Sequence, residues 1–131
     1  MKNFKFTVQG QMPSLNELIH AAMKQKRGYS PYNKMKKEMQ EIVITGINES
    51  SQLPCLKPVF TRVHIIFTYY EKNKRRDPDN IAAGAHKFIL DAMVDQEMIK
   101  NDTGEFVDSW TDVFKYDKNR PRIEVEVVEL C

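Results

Sequence analysis

Apolar and polar residues alternate at Phe4, Lys5, Phe6, Thr7, Val8 and Gln9 before Gly10, the period-2 pattern of a half-buried first strand. After a loop containing Pro13 the period changes. Ser14 and Glu17 form an S-x-x-E capping box, and Leu15, Leu18, Ile19, Ala22 and Met23 follow at helical spacing, which predicts a short helix ending near Lys24. Residues 24–30 are basic, hold Gly28 and Tyr29 and carry no apolar period, so an exposed loop is expected. Ser30 and Pro31 supply an N-cap with proline at the first helical position. They open a longer helix whose buried stripe would be Met35, Met39, Ile42, Val43 and Ile47, with Lys34, Lys36, Lys37, Glu38 and Glu41 toward water and Gly46 weakening the last turn.

Residues 50–58 form a polar, proline-containing connector, and residues 59–70 are dense in β-branched and aromatic side chains. The latter predict a central strand with Val63, Ile65, Phe67 and Tyr69 on one face and Arg62, His64, Ile66, Thr68 and Tyr70 on the other. Asp77-Pro78 repeats the cap-then-proline start, and Ile81, Ala85, Phe88, Ile89, Ala92 and Met93 keep helical spacing to about Val94. A turn at 100–105 precedes two further strands, 106–116 and 122–130. The order strand, helix, helix, strand, helix, strand, strand predicts a single α+β domain, a mixed β-sheet with helices packed mainly on one side.

Composition narrows the setting. A chain of 131 residues is one ordinary domain, long enough to bury a core without metal or disulfide staples. Its longest apolar runs, such as Val63 to Phe67, fall far short of the roughly 20 residues that span a bilayer. No apolar stretch follows the lysines of the N-terminus, so a cytoplasmic protein without a membrane partner is expected. Cys55 and Cys131 are too few and too far apart for a zinc knuckle or a disulfide framework, and both are expected as free thiols. The net charge of +2 hides a gradient: residues 1–40 hold eight Lys/Arg against two Glu, residues 41–80 six against five, and residues 81–131 six against eleven. A basic front end suits a nucleic-acid footprint.

The densest chemistry lies at Lys72-Asn73-Lys74-Arg75-Arg76-Asp77-Pro78-Asp79-Asn80. Two carboxylates two residues apart beside four cations suit a site that holds both a divalent metal and a phosphodiester, because neither charge class does both. They fall at a strand-to-helix junction, where the helix N-terminus adds positive potential. On the residues alone a plainer account is favoured, in which Asp77 caps the helix and Asp79 complements its dipole. An EF-hand is excluded, since counting from Asp77 puts Ala82 where glycine is required and Phe88 where a bidentate Glu is required. Asp102, in Asn-Asp-Thr-Gly, is ordinary turn chemistry; Asp91 and Asp95 read as solvated, and the basic run alone could serve solubility. His20, His64 and His86 show no metal-ligand spacing and no nucleophile partner. Trp110, with Phe106 and Phe114 on its strand face, reads as core or dimer surface.

Taken together, Arg76-Asp77-Pro78-Asp79-Asn80, the helix ending Ile89-Leu90-Asp91-Ala92-Met93, Lys100-Asn101-Asp102 and the early Pro13-Ser14-Leu15-Asn16-Glu17 resemble the RusA family of Holliday junction resolvases, phage and prophage type. The resemblance implies a homodimeric, magnesium-dependent endonuclease that cuts four-way DNA junctions symmetrically in recombination and repair, manganese substituting, with no nucleotide cofactor. It implies Asp77, Asp79 and Asp102 as metal-holding catalytic carboxylates. The family's catalytic lysine can lie one helical turn after the second aspartate, where this chain has Ala83; Lys87, two turns after Asp79, is the substitute it implies. Lys87 or Arg76 would offset charge on the scissile phosphate. Lys24, Lys26, Arg27, Lys34, Lys36, Lys37, Lys72, Lys74, Arg75, Arg76 and Asn80 are the expected DNA contacts. The alternatives are a non-catalytic module that binds branched DNA, its aspartates serving only as caps, and a nuclease that prefers forks or flaps.

Overall fold

The computed structural model describes residues 3–24, 26, 28, 30–51 and 58–130. The expected DNA contact Arg27, the thiols Cys55 and Cys131 and most of the 50–58 connector lie outside the described residues. Seven elements follow in order: β1 (Asn3–Gln9), α1 (Leu15–Met23), α2 (Pro31–Ser50), β2 (Val63–Glu71), α3 (Pro78–Asp95), β3 (Val107–Tyr116) and β4 (Arg122–Glu129). The fold is the expected small α+β domain. Its four strands run β1-β4-β2-β3, with β4 antiparallel to both β1 and β2 and with β3 parallel to β2. β2 is therefore internal, as expected, and it shares the centre with β4.

Alternation dictates which face the helices cover. Along β2, Val63, Ile65, Phe67 and Tyr69 are buried while the residues between them are half exposed, and Ile123, Val125 and Val127 of β4 continue the buried face. Against it α3 buries Ile81, Gly84, Ala85, Phe88, Ile89, Ala92 and Met93, so this helix is held by its packed face rather than by propensity. Phe88, Ile89 and Met93 each contribute about 1.5–3 kcal/mol by leaving water. Among the described residues, no helix is long and apolar enough to cross a membrane.

Four expectations need correction. β2 begins at Val63 rather than residue 59, because the amide of Phe60 donates to the carbonyl of Met98 instead of joining the ladder. The stripe of α2 is narrower than its spacing suggested: Val43, Gly46 and Ile47 are buried, whereas Ile42 is 38% exposed. Gly46 causes this. Its bare Cα lies against the Thr7 carbonyl of β1, closer than a Cβ could approach, so the helix rolls Val43 and Ile47 inward and Ile42 onto its flank. Gly46 is thus a packing requirement and not merely a weak last turn. Finally, only half of the capping box forms: Ser14 Oγ accepts from the Glu17 amide at 3.3 Å, but the Glu17 carboxylate turns to Arg76 Nη1 at 3.4 Å.

The β2–β3 register slips by one between Val63↔Val107 and His64↔Ser109, leaving Asp108 without a place in the ladder. This bulge turns Val107 inward and also brings Trp110, Asp112 and Phe114 level with Ile65, Phe67 and Tyr69 on the helix side.

Candidate functional site

Asp77 and Asp79 stand where β2 hands over to α3. The Asp77 carbonyl accepts from the amides of Asn80 and Ile81, both at 3.0 Å, which starts the helix. Its side chain makes no cap hydrogen bond, although the residue occupies the N-cap in extended conformation. Asp79, in the first turn, is likewise exposed, and among the described residues neither carboxylate has a hydrogen-bond or ion-pair partner. The capping account of Asp77, favoured on sequence, therefore lacks the bond it requires. Two unpaired carboxylates suit a magnesium ion, which takes one or two such ligands and completes its shell with water and phosphate oxygens, while the helix N-terminus favours the carboxylates and a phosphate rather than the cation itself.

Beside them, the loop between β2 and α3 carries Lys72, Lys74 and Arg75 outward, all exposed. Asn73 Oδ1 accepts from the Arg75 amide at 3.0 Å and shapes the turn, and Lys74 Nζ lies 5.1 Å from the centre of the Tyr116 ring at the end of β3. The aspartates and cations thus gather at the carboxyl ends of the parallel pair β2 and β3, the usual side for ligands in parallel sheets. Asn80 is half buried at the same end, while Lys24, Lys26, Lys34 and Lys37 are exposed on or beside α1 and α2.

Arg76, expected as a DNA contact, differs from its neighbours in that its donors meet the protein itself. Its Nε and Nη2 donate to the two oxygens of Glu71 at 2.9 and 3.0 Å, and Nη1 donates to the Met12 carbonyl at 2.7 Å. Glu71 is only 4% exposed and also accepts from Gln11 Nε2 at 2.7 Å. Burial opposes the charged guanidinium, but the hydrogen bonds and charge of Glu71, with Glu17 adding, outweigh it and raise the Arg76 pKa above its ordinary value.

Asp102 and Lys87 are not placed with the aspartate pair. Lys87 Nζ lies 3.7 Å from Asp91 Oδ2, and both line a hollow with Asp95, Asp102, Lys36 and Gln40, between α2, the C-terminal half of α3 and the turn before β3. α3 has 18 residues and is about 27 Å long, and Asp77 and Asp79 sit at its other end. Among the described residues no three His, Cys, Asp or Glu side chains converge as a metal site. The donor set that fits magnesium here is the Asp77–Asp79 pair.

One polar cluster was missed from sequence. Tyr69 donates its hydroxyl to Asp112 Oδ1 at 2.8 Å, and His86 Nε2 lies 2.7 Å from the same oxygen. The His86 ring packs 4.6 Å from Phe67 and edge-on to Trp110 at 5.0 Å, so Trp110 covers the cluster with one side while remaining 50% exposed. No sequence spacing could reveal it, because His86 and Asp112 meet only through the β2–β3 register. Burial, then the hydrogen bond and charge of Asp112, push the Tyr69 pKa far above its ordinary value. A raised folded pKa favours the native state in full below the unfolded value, about 10, and that contribution declines as pH rises beyond it. Unfolding in urea should therefore become easier above about pH 10 in the native chain and less so in Tyr69→Phe. Asp112→Ala leaves the buried hydroxyl unpaired and is expected to cost about 2 kcal/mol in the same titration.

Comparison of the sequence with protein-family models and with curated proteins returns no match.

Proposed function

We propose that this protein is a magnesium-dependent endodeoxyribonuclease that resolves four-way DNA junctions by paired, symmetric phosphodiester hydrolysis, acting as a homodimer. The observation that carries this is the exposed Asp77–Asp79 pair at the N-terminus of α3, without partners among the described residues and flanked by the exposed Lys72, Lys74 and Arg75. The likeness of residues 76–80 and 100–102 to the RusA family gives the pair its reaction class and its branched substrate.

Asp77 and Asp79 would hold magnesium, which when bound supplies Lewis acidity and makes a coordinated water a better nucleophile. Lys72, Lys74 and Arg75 draw the phosphate backbone toward the pair, and the first amides of α3 favour an anionic oxygen there. Hydrolysis adds water to phosphorus and releases one bridging oxygen, so the cations must offset charge growing on the non-bridging oxygens. Asp102 and Lys87 receive no ligand role in this assignment. Two copies related by a two-fold axis suit a junction because each can face one of two equivalent strands.

The test compares a synthetic four-way junction, a fork, a flap and a linear duplex, with magnesium, manganese or EDTA. Metal-dependent nicking selective for the junction is expected, with affinity falling by about 10³-fold or more between 50 and 200 mM salt if some six phosphates are contacted. Preference for a fork or flap would reassign the substrate. A non-catalytic junction-binding module is the second reading, favoured by the lack of a third carboxylate converging on the pair among the described residues. Tight junction binding with no nicking in either metal would establish it.

A further inference from the structure

Arg76 is the one cation of the 72–76 run whose donors are spent inside the protein. A guanidinium offers five N–H donors. Here four are engaged: one each to Glu71 Oε1, Glu71 Oε2, the Met12 carbonyl and Glu17 Oε1. The remaining one cannot grip a phosphate in the two-pronged manner that makes arginine a strong phosphate ligand. Glu71 is heavily engaged as well, since its oxygens take Gln11 in addition to the two arginine donors, three of about four acceptor positions.

The connections of this group span the elements that frame the aspartates. Glu71 is the last residue of β2, Met12 lies in the loop entering α1, Glu17 is in the first turn of α1, and Arg76 immediately precedes Asp77. The pair closes the base of the four-residue loop 72–75, whose cations point outward. From the other side Gly84 of α3 lies directly against the Pro13 carbonyl, so the 12–14 segment is held between α3 and Arg76.

We infer that Glu71 and Arg76 form a positioning clamp for the metal-holding pair: Arg76 orients Asp77 and Asp79 through the buried Glu71 carboxylate and does not itself bind DNA. This rests on the proposed nuclease function for its consequence, but the clamp can be tested without it. It separates the run into two kinds of cation. Lys72, Lys74 and Arg75 meet the backbone of the nucleic acid; Arg76 sets the angle at which the carboxylates would hold the metal.

The test uses the full chain with Glu71→Gln, Arg76→Lys, the double variant and, as a contact control, Arg75→Ala. Circular dichroism and Tm establish that each folds, and Glu71→Gln keeps the shape of the site while trading one acceptor oxygen for an N–H donor, so it breaks the two-pronged pairing even should Arg76→Lys not fold. Junction affinity is measured in EDTA over a salt series, nicking of saturated junction in magnesium, and amide hydrogen exchange across residues 76–82. Glu71→Gln and Arg76→Lys are expected to leave junction affinity within about threefold and the salt slope unchanged, to slow nicking of bound junction about 30-fold, and to speed exchange in 76–82 at least tenfold. The double variant should be no worse than the poorer single one, as for two residues acting as a unit. Arg75→Ala should weaken binding and lower the salt slope by about one, without speeding exchange in 76–82. Loss of affinity and slope in Arg76→Lys with undisturbed nicking would make Arg76 a phosphate contact and overturn the clamp. So would unaltered exchange in Glu71→Gln. A wild type that cuts nothing would remove the nuclease assignment alone, because exchange in 76–82 still decides whether the clamp orders the pair.

Discussion

Asp79→Asn should abolish magnesium-dependent nicking, slowing cleavage of bound junction by roughly 10³-fold, about 4 kcal/mol of barrier, while junction affinity stays within a few-fold. The substitution removes one negative charge and keeps the side-chain shape, and an amide oxygen is a much poorer ligand for a hard dication. Asp77→Asn should behave alike. The informative contrast is with stability. If Asp77 were only a helix cap, its removal would cost about 1 kcal/mol and leave activity alone. Because its side chain makes no cap hydrogen bond, Asp77→Ala should leave stability within about 0.5 kcal/mol, read as Tm, while activity collapses. Single-turnover rates and melting curves on the same preparations distinguish the two accounts. A variant that melts early and cuts normally would return both aspartates to a structural role.

Gly84→Ala should be the most damaging of the small substitutions, lowering stability by about 3 kcal/mol and Tm by roughly 10 °C. Helix propensity alone points the other way, since alanine inside a helix is favoured over glycine by about 1 kcal/mol. Packing decides. A methyl group at position 84 would run into the carbonyl of Pro13, which is backbone and cannot swing aside like the end of a flexible side chain. The helix must lift from the 13–14 segment, and the start of α3, where the aspartates sit, moves with it. Gly46→Ala should cost a similar amount where α2 meets the Thr7 carbonyl of β1. Urea titrations of both variants check this, and a gain in stability at either site would show that the close contact is not maintained in solution.

Much of the architecture was legible because it is local. β1 and β4 follow their alternating residues, α1 and α2 start at the Ser14 and Ser30 caps, and α3 begins where Asp77-Pro78 forbids continued strand. The strand boundary read furthest too early, at residue 59, failed because composition cannot show that Phe60 bonds to Met98 across the fold. At the candidate site, the neighbourhood of Asp77, Asp79 and the basic loop was also legible, being contiguous in the chain. Which of its cations remain free was not. Arg76 and Arg75 are adjacent and chemically identical, yet one is fastened to the buried Glu71 and the other is exposed. Asp102 likewise depends on where the turn after α3 comes to rest, which puts it in the hollow with Asp91, whereas Lys87 meets Asp91 by i,i+4 spacing within α3.

By itself the sequence determined the elements, their order, the inward side of β1, β2, β4 and α3, and the presence of a carboxylate pair beside a basic loop at a helix start, since periodicity, caps and neighbouring charges act over a few residues; in α1 it did not, for Ile19 and Met23 are exposed and Leu18 and Ala21 are buried. The tertiary structure alone decided the β1-β4-β2-β3 order, the parallel β2–β3 register that creates the Tyr69–Asp112–His86 cluster, the glycine contacts and the Glu71–Arg76 clamp. Those depend on which surfaces meet when the apolar faces leave water. A buried carboxylate such as Glu71 is tolerable only once its partner has been delivered to it by the fold.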